Sequence, residues 1–347
     1  MTSNVTHLWR ILKWGRTLAR HGALRGLERD RNTPRPVRRL ARLARLGAFV
    51  PRVPRYAEAL HALGPAAIKL GQTLATRPDL VGDDAAADLL SLQDALPPLP
   101  WEVIRQAMVA GLGRPLEEVF AEIDPVPVGA ASIAQVHRAI TTDGRTVAVK
   151  VLRPGVEEQF NRAIDTYEWA AAHLEAMGGE AARLRPRLVI ETMKRWTARE
   201  LDLRREAASA SELAESMEAE PDFTVPVIDW QRTTSRVLTT EWINGIKLSN
   251  RPALVAAGHD LPAMAQKLVR AFLRQAISEG FFHADMHQGN LFALPDGRIA
   301  AIDFGIMGRI DRRARVWLAE ILYGLITGNY RRVAEIHFEA GYVPAHH

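Results

Sequence analysis

Apolar positions recur at helical spacing over most of the chain. The segment HLWRILKWGRTLARH, residues 7–21, places Leu8, Ile11, Leu12, Gly15 and Leu18 on one stripe, with Trp9 and Trp14 near its edges and Lys13, Arg16 and Arg20 off it. Such three- and four-residue spacing predicts an amphipathic helix. The stretch from Pro34 repeats the theme with Val37, Leu40, Leu43 and Leu46. Between Tyr56 and Gly113, alanine-rich stripes start at acidic caps such as Asp83 and Asp84, and Pro97-Pro98 separates two helices. After Pro125 the period falls to two: SIAQVHRAI, the turn TTDGR and TVAVKVL predict a β-hairpin turned at Asp-Gly. Helical spacing returns from Val156 to Glu218, two strands are expected at Thr224–Ile228 and Arg236–Glu241, and helices fill most of the rest. The class is therefore α+β, divided at 1–55, 56–125, 126–243 and 244–347.

Composition sharpens this picture in three ways. A chain of 347 residues with 47% hydrophobic content can bury a large core. The absence of cysteine excludes disulfides, thiolate metal sites and cysteine nucleophiles, leaving chemistry to Asp, Glu, His, Lys and Ser. The net charge of +5 is unevenly spread, because the first 60 residues carry fourteen Lys/Arg against three Asp/Glu and the other 287 carry 31 against 37. A basic N-terminal segment on a mildly acidic body points to an anionic partner, which we take to be membrane lipid and not nucleic acid. The first helix thus reads either as lying on a membrane surface or as a basic helix docked on its own protein. No apolar run is long enough to cross a bilayer, the nearest being Leu318–Ile326 with Glu320 inside it. Arg10, Lys13 and Arg16 interrupt the place of a secretory apolar core, so the body is expected on the cytoplasmic side of a bacterial membrane.

The chemistry concentrates in HADMHQGNLFALPDGRIAAIDFG, His283 to Gly305. Asp285 is followed five residues later by Asn290, then by a hairpin turned at Pro295-Asp296-Gly297, then by Asp303-Phe304-Gly305. An Asn oxygen and an Asp carboxylate on adjacent strands suit a Mg2+ ion that also binds ATP phosphates, leaving Asp285 to orient an attacking hydroxyl or water. Upstream, Lys150 ends the VAVK strand in the order that phosphate binding by a kinase requires. Counting back from Val136, the glycine positions of a phosphate loop hold Gly129, Ala131 and Ala134, with Ala130 and Ser132 beside them. A Cβ at such positions restricts how closely the backbone approaches phosphate. TTEWINGIKL from Thr239 suits an adenine-contacting hinge at Glu241 and Ile243.

Together with AIKLGQ, holding Lys69, Gly71 and Gln72, and RELDLRREA, holding Glu200, Asp202 and Glu206, these segments resemble the UbiB family of atypical protein-kinase-like proteins over about Tyr56–Val343. The first two residue sets match the family's K-x-G-Q and E-x-D motifs, and Ala284 departs from the usual Gly of its H-G-D. The resemblance implies a two-lobed kinase-like fold with an N-terminal helical extension and a helical insertion in the N-lobe. It implies Lys69 as a further catalytic residue whose helix folds over the nucleotide and pairs with the E-x-D acids, and Glu206 as the partner of Lys150. ATP and Mg2+ are the implied cofactors, and quinone precursors or ubiquinone-biosynthesis proteins the implied partners. Family members generally continue past the point where this chain stops, 42 residues after Gly305, and many bacterial ones end in membrane helices, so the resemblance implies a shortened form.

Two other readings use the same residues. A small-molecule kinase of the aminoglycoside or choline type shares the H-x-D-x-H-x-G-N text, but K-x-G-Q argues against it. A non-catalytic lipid-binding scaffold sits poorly with intact Lys150, Asp285, Asn290 and Asp303. After Gly305 the text becomes helical within a few residues, without A-P-E or room for a peptide-docking activation segment, so phosphorylation of protein substrates in trans is expected to be poor.

Overall fold

The computed structural model describes residues 4–26, 33, 35–47, 50–51, 53–75, 78–92, 96–178, 182–183 and 185–343. Helices lead: α1 Asn4–Arg20, α2 Arg35–Arg45, α3 Tyr56–Leu63, α4 Pro65–Ala75, α5 Pro78–Val81, α6 Asp83–Leu89 and α7 Trp101–Leu112. Four strands follow, β1 Phe120–Ile123, β2 Gly129–Ala130, β3 Ala134–Thr141 and β4 Thr146–Leu152, and then helices α8 Val156–Ala176, α9 Pro186–Glu200 and α10 Leu203–Ser216. The remainder alternates: β5 Phe223–Thr224, β6 Val237–Glu241, β7 Ile246–Lys247, α11 Arg251–Ala256, α12 Leu261–Leu273, β8 Phe281–His283, β9 Leu291–Ala293, β10 Ile299–Ala301, β11 Met307–Arg309, α13 Arg312–Thr327 and α14 Tyr330–Glu339. One sheet runs β1-β3-β4-β6 with β2 on β3, a second runs β5-β10-β9-β7, and β8 pairs with β11.

The chain forms two compact units, each discontinuous in sequence: residues 1–118, 123–138 and 150–201, and residues 119–122, 139–149 and 202–347. In the first, α4 is the organising element. One face buries Ile68 and Ala75 in a cluster with Ala57, Leu89 and Leu92, against which Leu60 packs. Gly71 faces that cluster so closely that a Cβ would come within 2.4 Å of Leu60 and 2.5 Å of Leu92. Only a residue without a side chain fits there unless both leucines move.

The basic first helix docks on its own unit. His7 stacks on Trp169 of α8 and meets the Thr166 hydroxyl at 3.2 Å, while Trp14 packs on Tyr167 with ring centroids 5.1 Å apart. Ala19 and Leu18 pack with Ala41 and Ala44 of α2. The stripe read from sequence therefore splits: Gly15 and Leu18 turn inward with Trp14, whereas Leu8 and Leu12 stay exposed beside Val5 and Trp9. A basic helix carries enough apolar area on its Trp and His rings to define a buried face that aliphatic spacing alone does not reveal. Among the described residues no helix is long and apolar enough to cross a membrane.

In the second unit β9 and β10 form the hairpin expected around Pro295–Gly297, with Leu291 opposite Ala301. β5 joins its edge in parallel, Phe223 opposite Ile299. The strand expected at Thr224–Ile228 is shorter than its apolar text, because Pro226 has no N–H for a ladder; only Phe223–Thr224 pairs, and Ile228 forms an isolated bridge to Thr240. β7 completes the sheet against β9 and needs Gly245 before it, where a Cβ would sit 2.7 Å from the Ala293 carbonyl oxygen.

Candidate functional site

Asn290 ends the loop before β9, and its carbonyl oxygen accepts the Ile302 N–H at 2.8 Å. The hairpin register thus sets Asn290 opposite Ile302, next to Asp303. The Asn290 amide donates to the Asp285 carbonyl oxygen at 3.2 Å and to its carboxylate at 3.4 Å. These are the residues read from sequence as the metal-binding and hydroxyl-orienting set, and the second unit brings them together. Asp303 has φ = 63°, a left-handed conformation in which a residue with a Cβ costs on the order of 1–3 kcal/mol. Ile302 just before it is bonded on both sides, its N–H to Asn290 and its carbonyl to the His283 ring.

His283, which the sequence reading passed over, is the centre of that support. Its ring is 1% exposed. Nδ1 accepts the Asp285 N–H at 3.1 Å, so Nε2 carries the proton and donates to the Ile302 carbonyl at 3.1 Å. Desolvation holds its pKa below the ordinary histidine value, keeping the imidazole neutral in this role. The His283 N–H donates to Gln275 Oε1 at 3.0 Å, Gln275 lying in a π-helical turn at Arg274–Glu279 that continues α12. The His283 and Phe304 rings lie 5.5 Å apart. One buried ring therefore joins the strand before Asp285 to the residues flanking Asp303. Its sequence signal was the position two residues before Asp285, in an apolar strand too short to show a period.

Past Gly305 come only Ile306, the three-residue strand β11, which pairs with β8, and Ile310-Asp311 before α13 begins. In this unit Asp202 caps α10 by accepting the Arg204 N–H at 3.2 Å and is gripped by the Arg204 guanidinium at 2.9 Å, which lowers its pKa. Glu206 is buried in the first turn of that helix. Glu241 ends β6, its N–H bonded to the Val227 carbonyl and its carboxylate accepting the Val227 N–H at 3.2 Å; Ile243 is half-buried two residues on.

The first unit carries the other candidates. Lys69 on α4 and Glu200 at the end of α9 form an ion pair 2.5 Å long, with both side chains about 15% exposed. Of the two acids expected to meet Lys69, Glu200 does so, while Asp202 is engaged as a helix cap with Arg204. Gln72 lies on the same helix, half-buried. Lys150 is half-buried within β4. The alanine-rich loop makes a tight reversal in which Gly129 pairs with Val136 and the Ala131 N–H donates to the Ala134 carbonyl at 2.8 Å; Ser132 is buried beneath it. Ala130, Ala131 and Ala134 all lie outside the positive-φ region, so nothing in the backbone itself demands glycine at these positions.

Arg153, three residues after Lys150 and missed in the sequence, braces this loop. Its backbone N–H donates to the Ile133 carbonyl, and its guanidinium to the carbonyls of Ala131 at 2.9 Å, Leu96 at 3.3 Å and Pro97 at 2.9 Å. Gln135, fully buried, accepts the Leu99 N–H at 2.5 Å. The segment 96–99 is thereby tied to the loop by two side chains.

Comparison with known proteins agrees with this architecture. Residues 91–337 match the ABC1 atypical kinase-like domain. The chain belongs to the UbiB family of these proteins. It is 42% identical over 290 residues to a protein named "Probable protein kinase UbiB" from Marinobacter nauticus, covering 82% of this chain and 53% of that one. It is 40% identical over 314 residues to the protein of the same name from Xylella fastidiosa, covering 86% and 57%. This UbiB-family chain thus spans somewhat over half the length of these relatives. Among solved structures, the Mycobacterium tuberculosis protein Rv3197, in complex with erythromycin, superposes with a TM-score of 0.55 at 28% identity, over 80% of this chain and 70% of that one.

Proposed function

We propose that this protein is an ATP-binding atypical kinase or ATPase of the UbiB type that supports ubiquinone biosynthesis at a membrane, with little phosphorylation of proteins in trans. The observation that carries the reading is the backbone hydrogen bond from Ile302 to Asn290, which puts Asn290 opposite the residue before Asp303 at the end of one hairpin. Among the described residues no group of three or more His, Asp or Glu is arranged to hold a metal alone. Two protein oxygens fit Mg2+, which keeps several ligands from water and phosphate.

In this reading Asn290 and Asp303 would hold Mg2+, which would supply positive charge against the phosphates of ATP when the terminal phosphoryl group leaves ADP for a hydroxyl or water oxygen. Asp285 orients that oxygen and takes its proton. Lys150 and the Gly129–Ser132 backbone contact phosphates, Glu206 orients Lys150, and Glu241 and Ile243 meet the adenine. Lys69 governs access of the acceptor through its tie to Glu200. The short path from Gly305 to α13 supports poor peptide docking. The exposed Val5, Leu8, Trp9 and Leu12, with Lys13, Arg16 and Arg20, support adsorption of α1 to anionic lipid, which deletion of residues 1–50 should abolish in a cosedimentation assay.

The test is Asp303→Asn. Saturation of the wild type at about 100 times Kd adds roughly 2.7 kcal/mol of stability. The variant should show no MgATP-dependent thermal shift while its ligand-free stability stays near that of the wild type. Equal shifts in both proteins would refute the metal assignment.

A further inference from the structure

The first unit contains a part-open cavity of about 800 Å³ walled by α1, the junction of α3 with α4, and α8. This volume lies in the range of small-molecule sites. Arg10 and Lys13 of α1 and Arg162 of α8 line it, and no Asp or Glu does. Among the described residues none of these three side chains has a carboxylate partner. The Arg10 guanidinium is instead fixed by the Arg162 carbonyl oxygen at 3.1 Å and the Thr166 hydroxyl at 3.2 Å. Three cations around one part-open concavity repel each other. A bound anion removes it.

The rest of the lining decides what the anion is attached to. Trp9, Trp14 and Tyr167 supply aromatic surface, with Trp14 packed on Tyr167, and Leu63, Pro65 and Ala66 supply aliphatic surface. A bare inorganic anion leaves that surface unused. We infer that this cavity binds an amphiphilic anion, its phosphate or carboxylate head set among Arg10, Lys13 and Arg162 and its apolar body against Trp9, Trp14 and Tyr167. The site takes one molecule into a cavity and so differs from adsorption of α1 to a surface. It does not depend on the nucleotide reading. Its floor belongs to α4, with Ala66 one helical turn before Lys69, so an occupant touches the helix that carries the K-x-G-Q motif.

Tryptophan fluorescence of the full chain without nucleotide tests the proposal, using dodecyl phosphate below its micelle concentration as the probe. Saturable one-to-one binding is expected, with the signal diminished in Trp9→Phe and in Trp14→Phe and no comparable binding of dodecyltrimethylammonium. Lys13→Gln and Arg162→Gln should each weaken binding about fivefold; both residues are solvent-accessible, and circular dichroism verifies that the variants fold. Dihexanoyl phosphatidic acid binding more tightly than dodecanoate identifies the head as that of a phospholipid, and the reverse order a free acid. The proposal is overturned if the cationic amphiphile binds as well as the anionic one, if neither binds saturably, or if a variant combining Lys13→Gln with Arg162→Gln binds dodecyl phosphate with unchanged affinity.

Discussion

Helix α4 and the β9–β10 hairpin hold their motif residues by different means. On α4, Gly71 is fixed by the leucines that press on it, and Lys69 by one short, largely buried ion pair. At the hairpin, Asn290, Asp285 and Asp303 are fixed by hydrogen bonds that converge on His283 and on a single backbone register, and one of them sits in a conformation of positive φ. A motif held by packing registers change as lost stability, since neither volume nor a buried charge can be altered without moving neighbours. A motif held by hydrogen bonds to backbone keeps its frame when a carboxylate oxygen is exchanged, and registers the change as lost affinity.

The largest expected break in this contrast is Lys69→Ala, which removes the ammonium group paired with the largely buried Glu200 carboxylate and should cost about 3 kcal/mol in urea unfolding. Adding Glu200→Gln should return part of that loss, and full additivity of the two substitutions would show that the pair is not coupled. Gly71→Ala comes next, at about 2 kcal/mol, because the methyl meets Leu60 and Leu92; an unchanged urea midpoint would contradict packing control. Acid probes both units. Burial lowers the pKa of His137 in the first and His283 in the second, so the folded chain binds fewer protons than the unfolded chain below the ordinary histidine value near 6.5. Stability is therefore complete above about pH 6.5 and falls as the pH drops toward the lowered values. Midpoints at pH 7.5 and 5.5 should differ in that sense, and less so in His283→Asn. The smallest effect is Ala131→Gly, at up to about 1 kcal/mol of lost stability, since Ala131 already has an ordinary backbone. ATP titration of the same variant should give a lower Kd, as the loop amides approach phosphate more closely. A folded variant with an unchanged or higher Kd would show that this alanine does not limit affinity.

How much was legible in the sequence follows from the length scale of each signal. The hairpin of β3 and β4 announced itself through two strands of seven or eight residues and an Asp-Gly turn, and the Asp285–Asn290–Asp303 spacing needed only counting. The three-residue strands β8 and β11 gave no period to detect. His283 and Arg153 were invisible because their value lies in which carbonyls they reach: Ile302 for one, Ala131, Leu96 and Pro97 for the other. The inward turn of Trp14 was hidden for the same reason, since Tyr167 lies far along the chain. The Lys69–Glu200 pair was expected on the family resemblance alone, and spacing offered no route to it.

The parallel pairing of Phe223 with Ile299 bears on how the chain is made. Synthesis proceeds at about 5–20 residues per second, so β5 waits several seconds beyond its own translation before its partner strand exists. Loop closure over such a separation is slow compared with helix formation. During that interval Phe223 and Val225, buried in the finished protein, are bare on the nascent chain. A ribosome stalled before residue 300, but late enough for Phe223 and Val225 to have left the exit tunnel, should display a chaperone-binding segment there, and one stalled well beyond 300, with the hairpin also clear of the tunnel, should not.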